Sequence, residues 1–316
     1  MTVTIHVGDC LQTLRSLPSE SINTCVTSPP YFGLRDYGHD GQIGLEQTPD
    51  EFVGKLVAVF REVRRVLRDD GTLWLNLGDS YVSQPSWGRG EGSTLQGANQ
   101  GSEGGGRSDR SLWGLSAKNL LGIPWRVAFA LQADGWTLRQ DIIWHKPNPM
   151  PESVKDRCTK AHEYIFLLSK GPRYYFDSEA IAEPLAPSSI PRLQQNIEAQ
   201  VGTTRAHAGG KTNGNLKAQG NLETGKRNRR SVWTVTTKPF KGAHFATFPP
   251  DLIEPCVLAG SPPGGVVLDP FGGSGTTGLV ADRHGRNAIL CELNPAYAAM
   301  ARERIGPSAL DLEDLI

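Results

Sequence analysis

The order of apolar and polar positions predicts a chain that alternates between strands and helices. Short apolar runs at residues 4–7, 22–27 and 72–77 have the length of buried strands. Between the second and third runs, apolar positions from 50 to 67 keep the three- and four-residue spacing of a helix. Thr48-Pro49-Asp50 is typical of a helix start. The other elements predicted here are a short helix at 11–17 and a turn at Asp69-Asp70-Gly71.

The alternation continues after an interruption. Residues 84–111 are rich in Gly, Ser and Gln and contain almost no aliphatic side chains, which predicts a mobile loop. Strands that alternate with helices indicate an α/β fold with a mainly parallel sheet. The later predicted elements are a helix at 123–133, strands at 136–144 and 163–168, a helix at 251–259, a strand at 266–269, a helix at 276–284 and a strand at 287–292.

The formal charge of the chain is zero, but the charges are unevenly distributed. The length of 316 residues, with 38% hydrophobic and 21% charged residues, is typical of a globular protein with one large domain. Residues 186–241 contain ten basic and two acidic side chains, so this segment carries +8 and the remainder −8. Such a separation indicates either an electropositive surface for a nucleic acid or a solvated basic loop.

Other features of the composition exclude several classes of protein. The five cysteines are scattered without a Cys-x-x-Cys pair, so neither a zinc site nor a disulfide framework is predicted. No apolar run of 18 residues is present, and the first residues lack the pattern of a signal peptide. We therefore expect a cytoplasmic protein with no membrane partner.

A glycine-rich loop follows the predicted strand at 266–269. Gly272, Gly273 and Gly275 allow a tight turn and a close approach of ligand to backbone. Glu292 ends the next predicted strand, where a carboxylate can accept hydrogen bonds from ribose hydroxyls. Gly273, Gly275 and Gly278 also match the Gly-x-Gly-x-x-Gly motif of dinucleotide-binding proteins. A nicotinamide oxidoreductase is therefore an alternative interpretation of this loop.

Two residues beside the glycines favour a different nucleotide-like ligand. Asp269 and Phe271 directly precede the turn. A pyrophosphate prefers a helix N-terminus without a nearby carboxylate. The loop therefore favours a cationic ligand without phosphate, such as S-adenosylmethionine.

The segment Thr27-Ser28-Pro29-Pro30-Tyr31 follows a buried strand directly. Proline fixes the backbone and removes N–H donors, so the carbonyl groups here point in set directions. The Ser28 hydroxyl is a further acceptor, and Tyr31 offers a flat aromatic face. The motif predicts a pocket that holds an NH2 group and stacks on a planar ring. Acceptors around such an amine stabilise the positive charge that develops as a methyl group arrives. A Pro-Pro turn that merely ends a strand is the alternative.

At these two motifs the chain resembles the DNA amino-methyltransferases, in the permuted order of their beta class. The resemblance covers about residues 4–83, 122–170 and 243–304. It implies a Rossmann-like S-adenosylmethionine-dependent methyltransferase sheet with an inserted target recognition region. It also implies that the target base leaves the duplex stack. Smaller motifs that look similar are Gly8-Asp9, Trp144-His145-Lys146-Pro147-Asn148, Lys160, His162-Glu163, and the segment from His244 to Pro250 with Leu252.

The resemblance implies a role for particular residues of this chain. The catalytic motif corresponds to Ser28, Pro29, Pro30 and Tyr31. The cofactor S-adenosyl-L-methionine would be bound by Asp9, Thr27, His244, Phe245, Asp269, Phe271, Gly272, Gly273, Ser274, Gly275, Thr276 and Glu292. No metal is implied. The basic segment offers Arg227, Arg229, Arg230 and Lys238 for contacts to double-stranded DNA.

The identity of the methylated base is a finer question. Serine at the first motif position resembles the N4-cytosine enzymes, whereas N6-adenine enzymes more often have Asp or Asn there. Adenine N6 therefore remains the alternative. A C5-cytosine enzyme needs a nucleophilic cysteine, and the single Pro-Cys pair, Pro255-Cys256, falls on a predicted helix where packing explains it better.

Three further alternatives belong to other classes. A nicotinamide oxidoreductase explains the glycine loop but not Ser28 to Tyr31. A non-catalytic DNA-binding protein explains the basic segment but not two intact motifs. Methylation of RNA or protein is also compatible with a pocket for a planar amine or amide.

The domain organisation follows from the order of the motifs. We expect residues 1–170 to form the catalytic half, with the mobile loop at 84–111. Residues 171–241 are expected to be the target recognition region, and residues 242–316 the cofactor-binding half. A cognate restriction endonuclease that acts separately is an expected partner.

Overall fold

The computed structural model of the chain describes residues 1–34, 38–39, 41–82, 113–194, 222–238 and 248–310. Internal contacts divide the chain into two compact units. The large unit comprises Met1–Phe176 and Val232–Ile316, and the small unit comprises Asp177–Ser231. The loop predicted to be mobile, 84–111, lies outside the described residues. Among the described helices, none combines the length and the apolar character needed to cross a membrane.

The large unit is built on one sheet. The strands in chain order are β1 (Val3–Val7), β2 (Ile22–Thr27), β3 (Leu67–Leu77), β4 (Thr137–His145), β5 (His162–Ser169), β6 (Glu183–Pro184), β7 (Lys226–Arg227), β8 (Val232–Thr234), β9 (Val266–Asp269), β10 (Asn287–Glu292) and β11 (Ala309–Leu310). Within the described residues, nine of them form the sheet in the order β11-β1-β10-β9-β2-β3-β5-β4-β8. Neighbours from β11 to β3 are parallel, and among the described strands of this sheet β5 alone runs in the opposite direction.

Two layers of helices cover this sheet. The helices of the large unit are α1 (Cys10–Ser16), α2 (Pro49–Val66), α3 (Ile123–Ala133), α5 (Pro250–Gly260), α6 (Thr276–Arg283) and α7 (Pro295–Ile305), while α4 (Ile190–Leu193) belongs to the small unit. One layer has α2 packed against α1 and α3, and the other has α6 packed against α5 and α7. The mainly parallel α/β sheet predicted from the sequence is confirmed.

Strand β3 shows how the sequence places a layer on each face. Leu73, Leu75 and Leu77 belong to the core cluster that includes the buried side of α2. Trp74 points to the other face, where its ring nitrogen lies so close to Gly260 of α5 that a Cβ there would approach it to 2.8 Å. A strand covered on both faces reads as a continuous apolar run, because neither set of side chains meets water.

Helix α2 begins where Thr48-Pro49-Asp50 predicted a helix start. Thr48 is the N-cap, and its hydroxyl accepts a hydrogen bond of 3.1 Å from the Glu51 backbone N–H. Pro49 occupies the first turn, where its missing N–H costs nothing, and Asp50 and Glu51 place negative charge at the positive end of the helix dipole.

Two local features differ from the prediction. The turn predicted at Asp69-Asp70-Gly71 is wrong, because β3 begins at Leu67 and continues through these residues. The pairing of β3 with β2 shifts register between Ile22 and Thr24. The additional residues of β3 therefore form an irregularity in the ladder and do not reverse the chain. The pattern also did not predict α7.

The sheet has a topological switch between β2 and β9, which are neighbours. After β2 the chain enters the layer of α2, and after β9 it enters the layer of α6. When the chain leaves two adjacent parallel strands toward opposite faces of the sheet, a crevice forms between the two connections. This crevice lies at the carboxyl ends of those strands. The two motifs singled out in the sequence follow these two strands.

The small unit contains a short antiparallel pair of strands. Glu183 of β6 pairs with Arg227 of β7, and Pro184 pairs with Lys226. A 3-10 turn at Pro187–Ser189 and helix α4 follow β6. Residues 195–221, which hold part of the basic segment, lie outside the described residues.

Candidate active site

A cavity of about 720 Å³ opens at the carboxyl ends of the central strands. Its size is in the range typical of small-molecule sites. Thr27 and Gly275 do not line it, and His244 and Phe245 lie outside the described residues. The predicted site residues that do line it are Asp9, Ser28, Pro29, Pro30, Tyr31, Lys238, Asp269, Phe271, Gly272, Gly273, Ser274, Thr276 and Glu292.

Asp269 connects the two motifs. Its Oδ1 accepts a 2.6 Å hydrogen bond from the Thr27 hydroxyl, and its Oδ2 accepts one of 2.6 Å from Thr277. The Phe271 N–H also donates to Oδ1 at 3.0 Å. Asp269 is 1% exposed, and burial raises its pKa while these three donors lower it. Thr27 thus lies behind the cavity wall and ties β2 to β9.

Glu292 organises the glycine turn from the neighbouring strand. Its Oε2 accepts a 2.7 Å hydrogen bond from the Gly273 N–H, and its Oε1 accepts one of 2.8 Å from the Asn294 N–H. Burial raises the pKa of Glu292, and the two N–H donors oppose that rise. Each carboxylate oxygen retains a lone pair for a ligand, because such an oxygen can accept more than one hydrogen bond.

The glycine loop packs tightly on the next helix. Gly275 has φ +78°, and a Cβ at this position would lie 2.8 Å from the Cβ of Ala301 in α7. From the same helix, Arg304 donates to the hydroxyls of Ser274 at 2.9 Å and Thr276 at 2.8 Å. Arg304 therefore fixes the loop, a contact that the sequence did not indicate because α7 was not predicted.

Asp9 lies at the end of β1 beside the loop. Its Oδ1 accepts a 2.9 Å hydrogen bond from the Gln12 N–H and so caps α1. The Gly8 N–H donates to the Glu292 carbonyl at 2.9 Å. One end of the cavity therefore holds the three carboxylates of Asp9, Asp269 and Glu292. The groups that donate hydrogen bonds to these carboxylates, as described above, are neutral hydroxyl and backbone N–H groups. This end suits a ligand that carries positive charge.

Tyr31 of the proline motif stands at the other end of the cavity. Its hydroxyl donates to Glu163 Oε2 at 2.7 Å and lies 3.4 Å from Asn76 Oδ1. Gly78 packs against the ring, and a Cβ there would be 2.5 Å from Tyr31 Cε2. Burial, followed by the charge of Glu163, raises the pKa of Tyr31 well above its usual value, so the phenol stays protonated.

Polar residues of β3, β4 and β5 complete this end of the cavity. Glu163 Oε1 forms an ion pair with Lys146, whose ammonium lies 4.2 Å from the centre of the Trp144 ring. Asn76 Nδ2 donates to Glu163 Oε2 at 3.3 Å and to the Tyr164 carbonyl at 3.0 Å. Sequence reasoning placed Lys146 and Glu163 only in secondary motifs and did not name them as site residues.

The direction of β5 explains why Glu163 reaches the site. β5 is antiparallel to β3 and β4, so its first residues lie at the same edge of the sheet as the carboxyl ends of the others. Glu163 is the second residue of β5, and it is paired with Trp144 near the end of β4.

The basic residues proposed for DNA are distributed over the two units. In the large unit, Lys238 lines the cavity and forms a 2.6 Å ion pair with Asp251. In the small unit, Arg227 and Arg230 share Glu183, at 3.4 and 3.1 Å. The Arg230 side chain is 69% exposed and that of Arg227 only 21%.

Comparison of the sequence with known proteins identifies one family. The profile of N6_N4_Mtase, a DNA methylase family, matches residues 22–303. The Type II methyltransferase M.SmaI of Serratia marcescens is 48% identical over 303 residues, which cover 95% of this chain and 90% of that protein. The Type II methyltransferase M.Cfr9I of Citrobacter freundii is 48% identical over 302 residues, covering 96% of this chain and 87% of that protein.

Solved structures of similar fold belong to the same kind of protein. The PvuII DNA methyltransferase, named as cytosine-N4-specific, aligns with a TM-score of 0.63 at 22% identity, covering 96% of this chain and 87% of its own. A protein described as a DNA modification methylase from Thermus thermophilus, complexed with S-adenosyl-L-methionine, gives a TM-score of 0.58 at 24% identity. It covers 98% of this chain and 99% of its own. At these identities the likeness concerns the fold.

Proposed function

Because the chain belongs to the N6_N4_Mtase family of DNA methylases, we propose that it methylates N4 of a cytosine in double-stranded DNA. The family uses S-adenosyl-L-methionine and acts on exocyclic amines of bases. The observation that carries the cytosine assignment is Ser28, a neutral hydroxyl in the cavity wall beside Tyr31. A solved structure of similar fold is named as cytosine-N4-specific. Adenine N6 is the second candidate. The family assignment removes the nicotinamide oxidoreductase from consideration.

The cavity fits the cofactor. Its cationic sulfonium and amino groups suit the end that holds Asp9, Asp269 and Glu292. Gly272 lets the loop pack closely on β10, because a Cβ there would lie 3.0 Å from the Leu290 Cβ. We propose that Glu292 accepts hydrogen bonds from the ribose hydroxyls and that Phe271 packs against the ligand. Asp269 is buried and accepts hydrogen bonds from Thr27 of β2, Phe271 of the loop and Thr277 of α6, so we assign it to the shape and charge of the site.

The catalytic end of the cavity provides what transfer to a base amine requires. The bound cofactor supplies an activated methyl group. We propose that the target base leaves the helix and stacks on Tyr31, while the Ser28 hydroxyl and the Pro29 carbonyl accept hydrogen bonds from its amine. These acceptors hold the amine in line with the methyl group and stabilise the positive charge on nitrogen in the transition state.

The product decides between the two bases. DNA methylated by the purified protein and digested to nucleosides is expected to contain N4-methylcytosine when analysed by mass spectrometry. N6-methyladenine alone would overturn the cytosine assignment but leave the mechanism intact. The absence of any methylated base, together with intact DNA binding, would favour the non-catalytic alternative.

Glu292→Gln is expected to weaken binding of S-adenosylhomocysteine by about 1.5–3 kcal/mol at neutral pH, because charge-assisted hydrogen bonds are lost. Burial raises the pKa of Glu292. The wild-type affinity should therefore be highest well above that pKa and fall as the pH is lowered through it. The variant should lack this decline. Calorimetry between acidic and neutral pH measures both effects.

The control is Glu303→Gln, an exposed carboxylate on α7. It is expected to bind the ligand like the wild type. If Glu292→Gln retains full affinity and the same pH dependence, the ribose assignment is wrong.

We propose that residues 171–241 contain the target recognition region between a catalytic half, 1–170, and a cofactor-binding half, 242–316. The net charge of +8 over 186–241 supports a DNA contact in this part of the chain. Arg227, Arg229, Arg230 and Lys238 are the proposed phosphate contacts, and Arg230 is well exposed for that role.

Replacing Arg227, Arg229 and Arg230 together by alanine is expected to weaken DNA binding and to flatten its salt dependence. Each lost phosphate contact lowers the slope of log K against log salt by about one unit. Fluorescence anisotropy over a salt series gives the slope. Arg61→Ala, which removes an exposed arginine paired with Asp134 on the helical face, should leave the slope unchanged. An unchanged slope in the triple variant would assign these arginines to a solvated loop.

The relatives are named as Type II methyltransferases. We propose that this chain likewise protects a cytoplasmic genome from a restriction endonuclease that acts separately. Sequencing of modified bases in the DNA of an expressing host is expected to find methylation confined to one short sequence. Methylation at unrelated sequences would contradict this role.

A further inference from the structure

Met150 is the most exposed large apolar side chain in the described part of the chain, with 83% of its surface open to solvent. It also lines the cavity, so it lies at the rim where the cavity opens outward. Among the described residues of the cavity lining, Leu34 is the other large apolar side chain that is exposed, at 42%. An exposed apolar side chain is stabilised when another molecule covers it. The rim therefore offers an apolar contact to the molecule that brings a base into the cavity.

The backbone on the first side of Met150 is held in place. Met150 lies between Pro149 and Pro151, and each proline fixes its own φ and restricts the residue before it to extended conformations. Asn148 is anchored by two hydrogen bonds, since its Oδ1 accepts from the Thr237 N–H at 3.0 Å and its Nδ2 donates to the Thr237 carbonyl at 3.2 Å.

The other side of Met150 is held by a glutamate and a lysine. Glu152 Oε2 accepts hydrogen bonds from the Arg157 side chain at 2.6 Å and from the Lys160 N–H at 3.3 Å. The Lys160 ammonium donates to the Asp79 carbonyl, beyond the end of β3, at 2.8 Å. Little backbone entropy is therefore lost when Met150 makes a contact at the rim.

A proposed phosphate contact lies beside the anchor of this segment. Lys238 directly follows Thr237, lines the cavity, and has a side chain that is 57% exposed. Because Thr237 is bonded to Asn148, a DNA backbone held by Lys238 lies close to the segment that carries Met150. The duplex from which the target base comes is thus expected to face Met150.

We propose that Met150 enters the duplex at the position vacated by the target base and so stabilises the extruded state. A base that leaves the duplex gives up its stacking and its pairing, and the complex must offset that loss. DNA-binding proteins insert apolar side chains, methionine among them, between base steps. This inference rests on the proposed function, in which the base leaves the helix to reach Tyr31. Met150 acts on the extrusion equilibrium and not on the transfer of the methyl group.

Met150→Ala is expected to lower the equilibrium constant for extrusion about tenfold, because most of the apolar contact is lost. The extruded fraction would then fall from about nine-tenths in the wild type to about one half. The measurement uses a duplex with the recognition sequence found by sequencing and with a fluorescent cytosine analogue at the target position. Its fluorescence rises when the base leaves the stack. S-adenosylhomocysteine is present at saturation.

A second duplex separates extrusion from other effects of the substitution. It carries a mismatched base opposite the target, which lowers the cost of extrusion. On this duplex Met150→Ala is expected to extrude the base like the wild type. Single-turnover methylation of unlabelled duplexes should follow the same pattern, about twofold slower on the matched duplex and unchanged on the mismatched one.

Two further variants control for the loss of an apolar side chain. Met150→Leu keeps an apolar side chain of similar volume and should extrude the base like the wild type. Val154→Ala shortens another exposed apolar residue of the β4–β5 connection, 37% exposed and outside the cavity lining. It is expected to leave extrusion and methylation unchanged.

Each outcome decides the proposal. Normal extrusion by Met150→Ala on the matched duplex, or equal losses on both duplexes, would overturn the role of Met150. A loss in Leu34→Ala with none in Met150→Ala would assign the contact to Leu34 and overturn it as well. If the wild type extrudes the target base from neither duplex, the proposed function is wrong in requiring extrusion, which is a separate failure. For an adenine product, 2-aminopurine replaces the cytosine analogue.

Discussion

Gly78→Ala is expected to reduce kcat/KM for DNA methylation about 100-fold, because a displacement of a catalytic ring by about 1 Å has effects of this order. The added Cβ would lie 2.5 Å from Cε2 of Tyr31 and 3.2 Å from Cζ. A rigid aromatic ring cannot yield at one edge without moving as a whole. The hydroxyl would then lose its alignment with Glu163. Transfer of a tritiated methyl group to DNA measures the change.

Gly54→Ala provides the matched control for this variant. Gly54 lies within α2, and a Cβ there meets nothing within 4 Å. Alanine at this position is expected to leave activity unchanged and to stabilise the helix by about 0.5–1 kcal/mol. In a Tyr31→Ala background, Gly78→Ala should cause no further loss, because the ring it displaces is gone. If Gly78→Ala is about as active as the wild type, the exact position of the Tyr31 ring does not control the rate of methylation.

Ser28→Ala is expected to lower kcat by about 100- to 1000-fold, the range seen when one group that stabilises transition-state charge is removed. The affinities for DNA and for S-adenosylhomocysteine should change by no more than about twofold, because the acceptor matters most when charge develops on nitrogen. Single-turnover kinetics and equilibrium binding separate the two effects.

Ser21→Ala serves as the control for the loss of a hydroxyl beside the same strand, β2. Ser21 lies just before β2, at the end away from the cavity, and its hydroxyl donates to the Pro18 carbonyl at 2.8 Å. This variant is expected to turn over like the wild type. A Ser28→Ala enzyme that binds DNA poorly but reacts at a normal rate would assign Ser28 to binding.

The sequence predicted those parts of the fold whose signals are local. Buried parallel strands such as β2 and β3 read as apolar runs, because both of their faces are covered. The glycine turn after β9 also has a local signature, since tight turns and positive φ angles favour glycine. These signals were sufficient for the α/β class, for the order of most elements and for the two ends of the cavity.

Other features depend on contacts that the sequence does not display. Asp69-Asp70-Gly71 has the composition of a turn, but Leu67 and Thr72 on either side of it both pair with β2, so it forms an irregularity within β3. Glu163 reaches the cavity because β5 is antiparallel to β3. The direction of a strand cannot be predicted from its amino-acid composition. The role of Thr27 likewise depends on Asp269, 242 residues further along the chain.

That distance of 242 residues has a consequence for biosynthesis. β2 pairs with β9 and β1 pairs with β10, so these strands are translated long before their partners. Pairings between distant segments form slowly, and a strand edge without its partner exposes surface that aggregates. On the ribosome, the first strands emerge well before the glycine loop is translated. The chain therefore completes the proposed cofactor site only after β9 and the glycine loop have been translated, and a product cut short before β9 would lack it.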